Sequence, residues 1–140
     1  ETSGGTIPAK DLRLGMKLPD GEGGLNTIFE VKCGIDDIWL IETANGVTLK
    51  ATSTKQVFTP DGKKTLANLE KGDTIITVLN NVKHESRIIL KVKLLVRQMV
   101  VQIGLQPNER FLAGGGTGYV QVSNRKPVLI GGDGTYIPST

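Results

Sequence analysis

Residues 46–62, GVTLKATSTKQVFTPDG, and residues 66–75, LANLEKGDTI, carry the clearest structural pattern of the chain. The dipeptide Asn45-Gly46 lies between two runs rich in β-branched residues, which is the strongest short signal for a β-hairpin. The turn residues Pro60-Asp61-Gly62 follow a further short β-rich run. We therefore predict several short antiparallel strands in this stretch.

The rest of the sequence extends the same pattern. Residues 88–103 form the longest regular stretch, and their alternation and β-branched content favour one or two strands over a helix. Helix signals are confined to single turns at residues 8–14 and 64–70, each ended by a glycine, Gly15 and Gly72. The predicted fold class is all-β.

Composition bounds the remaining possibilities. A chain of 140 residues is expected to form one domain, and 18 glycines with 6 prolines indicate many turns. The net charge of +3 comes without any block of like charges, so we do not expect nucleic-acid binding. One cysteine, Cys33, and one histidine, His84, exclude an intrachain disulfide and a Cys/His metal cluster. No run of 18 apolar residues is present, so no membrane span is expected. We also expect no cofactor and no metal.

Two short internal echoes suggest a repeat. Residues 10–15, KDLRLG, and residues 67–72, ANLEKG, share a leucine and a glycine at an offset of 57 residues. Val31 and Val92 each lie eight residues before an apolar run. Chance is an alternative for patterns this short, but a repeat of about 60 residues predicts two related halves.

Residues 46–75 resemble the centre of a Hint domain, the fold shared by inteins and the autoprocessing domain of Hedgehog proteins. In that family a strand ends in Thr-x-x-His, and the pattern A-x-x-L-x-x-G-D-x-I follows. Residues 100–103 and 108–115 are similar to the late segment of the family, and residues 1–6 resemble its start. The resemblance covers most of residues 1–124 and implies an all-β horseshoe of two pseudo-symmetric halves.

The catalytic positions implied by this resemblance are altered. Splicing needs a thiol or hydroxyl at the first residue, an imidazole, and a terminal His-Asn pair whose asparagine cyclises. Here the first position holds Glu1, Thr52 is retained in the Thr-x-x-His motif, and Lys55 replaces its histidine. Ser123 and Asn124 correspond to the His-Asn pair. A lysine is a poor acid or base near neutral pH unless burial lowers its pKa.

Each unusual side chain also has an ordinary interpretation. We expect Lys55 to be a solvated lysine at a strand edge or in a loop, and Cys33 to be a small buried hydrophobe. His84 is expected to be exposed in a polar connector at residues 80–87, between the two halves. Thr2 or Ser3 could supply a hydroxyl nucleophile if the register slipped by one or two residues.

The leading hypothesis is a splicing-inactive Hint-like domain that serves as a structural or protein-interaction module of a larger assembly. A phage particle or a bacterial surface protein is the expected setting. For the location of the chain, we expect it to be cytoplasmic or virion-associated. The host polypeptide or neighbouring subunits would be its partners, contacted through strand edges and the glycine-rich residues 113–118. No small-molecule substrate is expected. Residues 125–140 are interpreted as a C-terminal extension or flanking strand after the domain at residues 1–124.

Two other hypotheses remain open. The first is an autoprocessing domain that cleaves or splices its own backbone, with Lys55 in place of the usual histidine. The second is a basic domain that binds an anionic polymer, whose affinity would fall steeply with salt.

Overall fold

The computed structural model describes residues 6–106, 110–123, 130–131 and 136–138. These residues form strands and two 3₁₀ turns, and no α-helix occurs among them. In chain order the strands are β1 (Thr6–Pro8), β2 (Lys17–Pro19), β3 (Leu25–Asp36), β4 (Trp39–Thr43), β5 (Val47–Ala51), β6 (Gln56–Thr59), β7 (Gly62–Thr65), β8 (Thr74–Leu79), β9 (Val82–Lys93), β10 (Gln98–Gln106), β11 (Arg110–Ala113), β12 (Gly115–Gly116), β13 (Tyr119–Ser123), β14 (Ile130–Gly131) and β15 (Tyr136–Pro138).

Nearly all of these strands belong to one continuous, folded sheet. Its hydrogen-bonded order is β2-β3-β10-β14-β5-β4-β9-β8-β13-β6-β7, with β12 added to β5 and β11 added to β13. The strands β1 and β15 pair separately with each other. The all-β prediction is confirmed, and the longest regular stretch of the sequence is divided between β9 and β10. No helix in the described part of the chain has the length and apolar character needed to cross a bilayer.

The predicted hairpin at Asn45-Gly46 joins β4 to β5. Gly46 has a φ of +89°, which a side chain rarely adopts, and a Cβ there would lie 3.0 Å from Thr117 Cγ2. The side-chain amide of Asn45 donates to Thr77 Oγ1 at 2.9 Å, and Thr43 Oγ1 donates to Asn45 Oδ1 at 2.5 Å. The turn is therefore fixed by its own residues and anchored to β8.

The two predicted halves are visible in matching hydrogen bonds. The first 3₁₀ turn, Ala9–Asp11, has its counterpart in the second, Leu66–Asn68. After the first turn the Gly15 amide donates to the Ile28 carbonyl at 2.9 Å, and after the second the Gly72 amide donates to the Ile88 carbonyl at 2.8 Å. The repeat inferred from the sequence thus corresponds to a repeated structure.

The halves exchange strands with each other. The first half contributes β3, which pairs with β10 of the second half, and the second half contributes β9, which pairs with β4 of the first. The apolar faces of both halves consequently meet in one core. The core includes buried side chains from both halves and from the late strands: Leu12, Ile28, Ile41, Leu49, Ile75, Ile88, Val101, Phe111 and Val122.

The predicted polar connector at residues 80–87 is wrong. Asn80 and Asn81 make a tight turn with φ values of 51° and 65°, and the strand β9 starts directly after them at Val82. His84 lies opposite Thr77 in the β8–β9 pair. The polar residues at positions 83–85 are exposed residues of a strand rather than part of a linker, and Ser86 of the same strand is buried.

Described residues after position 124 are part of the sheets. Ile130 of β14 lies opposite Ala51 of β5 and Val101 of β10, and therefore bridges two strands of the main sheet. Ile137 of β15 lies opposite Ile7, and its side chain is fully buried in the core. This part of the chain adds both backbone pairing and apolar burial.

Ile137→Ala should lower the free energy of unfolding by about 2–4 kcal/mol, because it removes fully buried methyl groups and leaves a cavity. The matched control, Val96→Ala, removes apolar atoms from a side chain that is 71% exposed and should change stability by less than about 0.5 kcal/mol. Urea unfolding monitored by circular dichroism measures both. Equal effects of the two substitutions would show that β15 is not packed in the core in solution.

Candidate functional site

Three of the sequence-predicted site residues lie at one corner of the molecule, where β5 ends, β6 begins and β13 ends. Thr52 and Lys55 lie in the short connection between β5 and β6, and the Lys55 amide donates to the Thr52 carbonyl at 3.1 Å. The second 3₁₀ turn holds this connection from the other side, because the Leu66 amide donates to the Lys55 carbonyl at 2.8 Å. The backbone of the Thr-x-x-His-like motif is therefore fixed at both ends.

Thr52 is buried, and its hydroxyl oxygen lies 3.3 Å from that of Thr54. A buried hydroxyl within hydrogen-bond distance of a second hydroxyl is held in a defined orientation. Thr52 is thus positioned as a fixed polar group at the start of the motif.

The Lys55 side chain is completely buried, so the expectation of a solvated lysine is wrong. Its Nζ lies 4.4 Å from the centroid of the Phe111 ring. The ring face attracts the charged ammonium, but burial penalises that charge more strongly and holds the pKa of Lys55 well below its usual value. Burial therefore favours the neutral amine, which can accept a proton.

Ser123 completes the corner from β13. It is buried and lies opposite Gln56 of β6 and Arg110 of β11. Its cross-strand neighbour Gln56 directly follows Lys55, so the register brings Ser123 next to the motif. Among the described residues, the buried Gln56 Oε1 has no hydrogen-bond partner, which leaves an acceptor available at this corner.

Two of the predicted site residues, Glu1 and Asn124, lie outside the described residues, as do Thr2 and Ser3. The structure thus brings together Thr52, Lys55 and Ser123.

Cys33 and His84 lie elsewhere. Cys33 is exposed on β3, so the expectation of a buried cysteine is wrong. Cys33 shares a face with Val31 in an apolar–polar alternation, but this end of β3 extends beyond the core. His84 is exposed, as expected, although on a strand. No group of three or more His, Cys, Asp or Glu residues that could hold a metal occurs in the described part of the chain.

Sequence reasoning missed the partners of the corner. Phe111, whose ring lies under Lys55 Nζ, falls within residues 108–115, and nothing in that segment of sequence predicts the contact. A second polar cluster is centred on Glu22, whose Oε2 accepts from Lys83 Nζ at 2.5 Å and from Gln121 Nε2 at 2.9 Å. Those two hydrogen bonds lower the pKa of Glu22. The glycines flanking Glu22 indicate a turn. Its hydrogen-bond partners come from β9 and β13, so the sequence around Glu22 does not predict them.

The geometry has a limited chemical repertoire. A neutral buried amine at Lys55 can accept a proton, and Thr52 can orient a neighbouring polar group. The described part of the corner contains no thiol.

Comparison with known proteins gives structural but not sequence similarity. No protein-family model matches the chain, and no curated protein matches it in sequence. Solved structures do match. The Ssp DnaB mini-intein variant M86 has a TM-score of 0.71 at 17% identity, over 86% of this chain and 84% of that one. The gp41-1 intein has a TM-score of 0.69 at 14% identity, over 83% and 85%. A bacterial intein-like domain from Clostridium thermocellum has a TM-score of 0.68 at 15% identity, over 87% and 96%.

The lowered pKa of Lys55 makes stability depend on pH. Its pKa is about the usual 10.5 in the unfolded chain and lower in the folded one, so between these values the unfolded chain binds more protons. The free energy of unfolding therefore rises with pH in that window. We expect the wild type to gain stability relative to Lys55→Met as the pH rises toward the usual lysine pKa of 10.5.

Urea unfolding midpoints at several pH values measure this difference. The control Lys63→Met alters an exposed lysine of β7 and should follow the wild type at every pH. A gap between wild type and Lys55→Met that stays constant with pH would contradict the lowered pKa.

Proposed function

Since the chain has the Hint fold of inteins and of bacterial intein-like domains, we propose that it is a Hint domain that does not splice and that serves as a structural or interaction module of a larger assembly. We propose residues 125–140 as a flanking segment that completes the fold of residues 1–124. The observation that carries this proposal is the burial of Ile137 and the bridging position of β14. Cleavage after Asn124 would separate both from the rest of the domain.

The altered catalytic positions support the same conclusion. Glu1 replaces the thiol or hydroxyl that begins splicing, and a carboxylate at this position cannot carry out the acyl shift. Ser123 replaces the histidine that precedes the cyclising asparagine. The thiol of Cys33 belongs to β3, which is not one of the strands of the corner. A protein that neither forms the ester nor activates Asn124 keeps its backbone intact.

A module of an assembly needs surfaces for its neighbours. Half of the expected contact loop at residues 113–118 is already occupied, since β12 pairs with β5 and the Thr117 hydroxyl donates to the Asn45 carbonyl at 2.7 Å. Exposed strand edges are therefore the better candidates for contacts with neighbouring subunits. A phage particle or a bacterial surface is the setting that we propose for such an assembly.

Self-cleavage with Lys55 as base is a second candidate, and one observation favours it. Burial lowers the pKa of Lys55 and so favours the neutral amine, a proton acceptor, at the position of the family histidine, next to the strand pair that contains Ser123. Asn124 cyclisation would then be the reaction that remains, since it needs no nucleophile at the first residue. The two candidates differ in one observable, which is whether the backbone breaks.

We expect the chain, expressed with about ten native residues on each side, to keep its full mass during prolonged incubation near neutral pH. Intact-mass spectrometry measures this directly. Asn124→Ala and Lys63→Ala serve as controls for cyclisation and for general proteolysis. Cleavage after Asn124 that is lost in Lys55→Ala and Asn124→Ala but kept in Lys63→Ala would overturn the proposal and establish the second candidate.

A further inference from the structure

One edge of β3 has no strand beside it in the described part of the chain. Thr27 pairs with Lys17 of β2 and with Gln106 of β10, so these two strands lie on opposite edges of β3. Backbone pairing on the β2 side ends at Ile28, which bonds to the turn before β2. Pairing with β10 continues to the end of the strand. On the β2 side of residues 29–36, no strand of the described part of the chain pairs with the backbone.

The outer end of this edge is apolar and exposed. Cys33 is exposed, and Ile35 is 68% exposed. Met99, which lies opposite Ile35 on β10, is also exposed. The neighbouring β9–β10 connection adds Leu95 and Val96, both strongly exposed. An exposed apolar strand edge is a template for pairing with another chain.

Gly34 lies in the middle of this edge, and nothing in the described part of the chain requires a glycine there. Its φ is not in the left-handed region, and a Cβ would meet only Val100 Cγ2, at 3.9 Å. A glycine inside a strand weakens it and often marks a place where another backbone approaches closely. Gly34 is therefore best explained by an approaching chain.

The equivalent edge in the second half is protected. Beyond Ile88 the β8 side of β9 also has no strand among the described residues, but the residues there include Lys91 and Lys93. Lys91 Nζ donates to the Leu69 carbonyl at 2.6 Å across this edge. Two copies pairing here would oppose lysine to lysine, and edge lysines prevent such contacts.

On β3 the charges are complementary instead. Lys32 and Asp36 lie four residues apart and on the same face of the strand, with Gly34 midway between them. When two such strands run antiparallel about Gly34, each Lys32 faces the Asp36 of the other strand. Opposite charges facing each other across a pair stabilise it.

We propose that residues 32–36 of β3 pair antiparallel with the same edge of a second copy of this chain, about a two-fold axis at Gly34. Lys32 then lies opposite Asp36 of the second copy on one face, and Cys33 lies opposite Ile35 of the second copy on the other. The contact is isologous, so the Lys32–Asp36 pair forms twice, once on each side of the axis. It deepens and rests on the proposed function, because it names the neighbour that one exposed edge accepts.

Existing contacts on both charged residues change when the edges pair. Lys32 Nζ lies 3.2 Å from Glu30 Oε2 on the same strand, and both side chains are exposed. The Arg97 guanidinium donates to the Ile35 carbonyl at 3.3 Å and lies 4.0 Å from Asp36. The Arg97 side chain is 63% exposed, so it rotates away at small cost. A contact of five residues a side is smaller than a standard protein interface, so we expect a reversible dimer whose population grows with concentration.

Disulfide trapping tests the register. Residues directly opposite each other have Cα atoms about 4.5–5.5 Å apart, within disulfide reach, whereas residues offset by two are about 7–8 Å apart. Under mild oxidation Ile35→Cys should form a covalent dimer between Cys33 and the introduced thiol. Neither the wild type nor the double variant Ile35→Cys/Cys33→Ser should do so. Equal cross-linking of all three proteins, or none in Ile35→Cys, overturns the register.

Charge reversal tests the interface without any new thiol. Lys32→Asp and Asp36→Lys each place like charges opposite each other and should weaken the dimer about tenfold, while the double reversal should restore it. Lys63→Asp on the edge strand β7 is the control and should leave the dimer unchanged. Sedimentation equilibrium measures all four, with circular dichroism to verify folding.

A wild type that stays monomeric at the highest soluble concentration overturns the proposal. So does a dimer that Lys63→Asp weakens and Lys32→Asp does not. These experiments measure association and the cleavage experiment measures backbone mass, so a failure of the dimer is distinguishable from a failure of the proposed function.

Discussion

The exchange of strands between the two halves is the constraint on which the rest of the structure depends. Each half has a long strand, β3 or β9, that pairs at its start with its own half and further along with the other half. Neither half can bury its apolar face alone, because the pairing partner and the covering side chains come from its counterpart. The core, the corner at Lys55 and the free edges all follow from this exchange. Where β3 and β9 extend beyond the shared core, each has an edge with no neighbouring strand among the described residues.

Local sequence predicted what local interactions determine. Asn45-Gly46 and the glycines that end the 3₁₀ turns specify turns through their own backbone preferences, so the hairpin and the turns were predictable. The repeat was predictable because both halves use the same turn followed by a strand. The position of His84 on a strand was not predictable, because an exposed polar strand segment resembles a linker in sequence.

The burial of Lys55 could not be predicted, because it depends on contacts distant in sequence. Phe111 comes from β11, and its ring meets Lys55 only after β13 has paired with β6 on one side and β11 on the other. A lysine is usually exposed, and nothing beside residue 55 indicates otherwise. Cys33 was misassigned for the converse reason: its alternation is that of a core strand, but the core does not extend to it. The family resemblance located Thr52, Lys55 and Ser123, and the fold brought them to one corner.

An intact, uncleaved Hint domain requires residues 125–140 to be part of the domain rather than a segment that cleavage releases. Stability of the chain truncated after Asn124, compared with the full chain by thermal and urea unfolding, tests this most directly. Removal of Ile137 and of the bridging β14 should cost about 3 kcal/mol or more, or abolish cooperative unfolding. A truncated chain that unfolds cooperatively with unchanged stability would contradict the account, because the Hint domain would then be complete at Asn124.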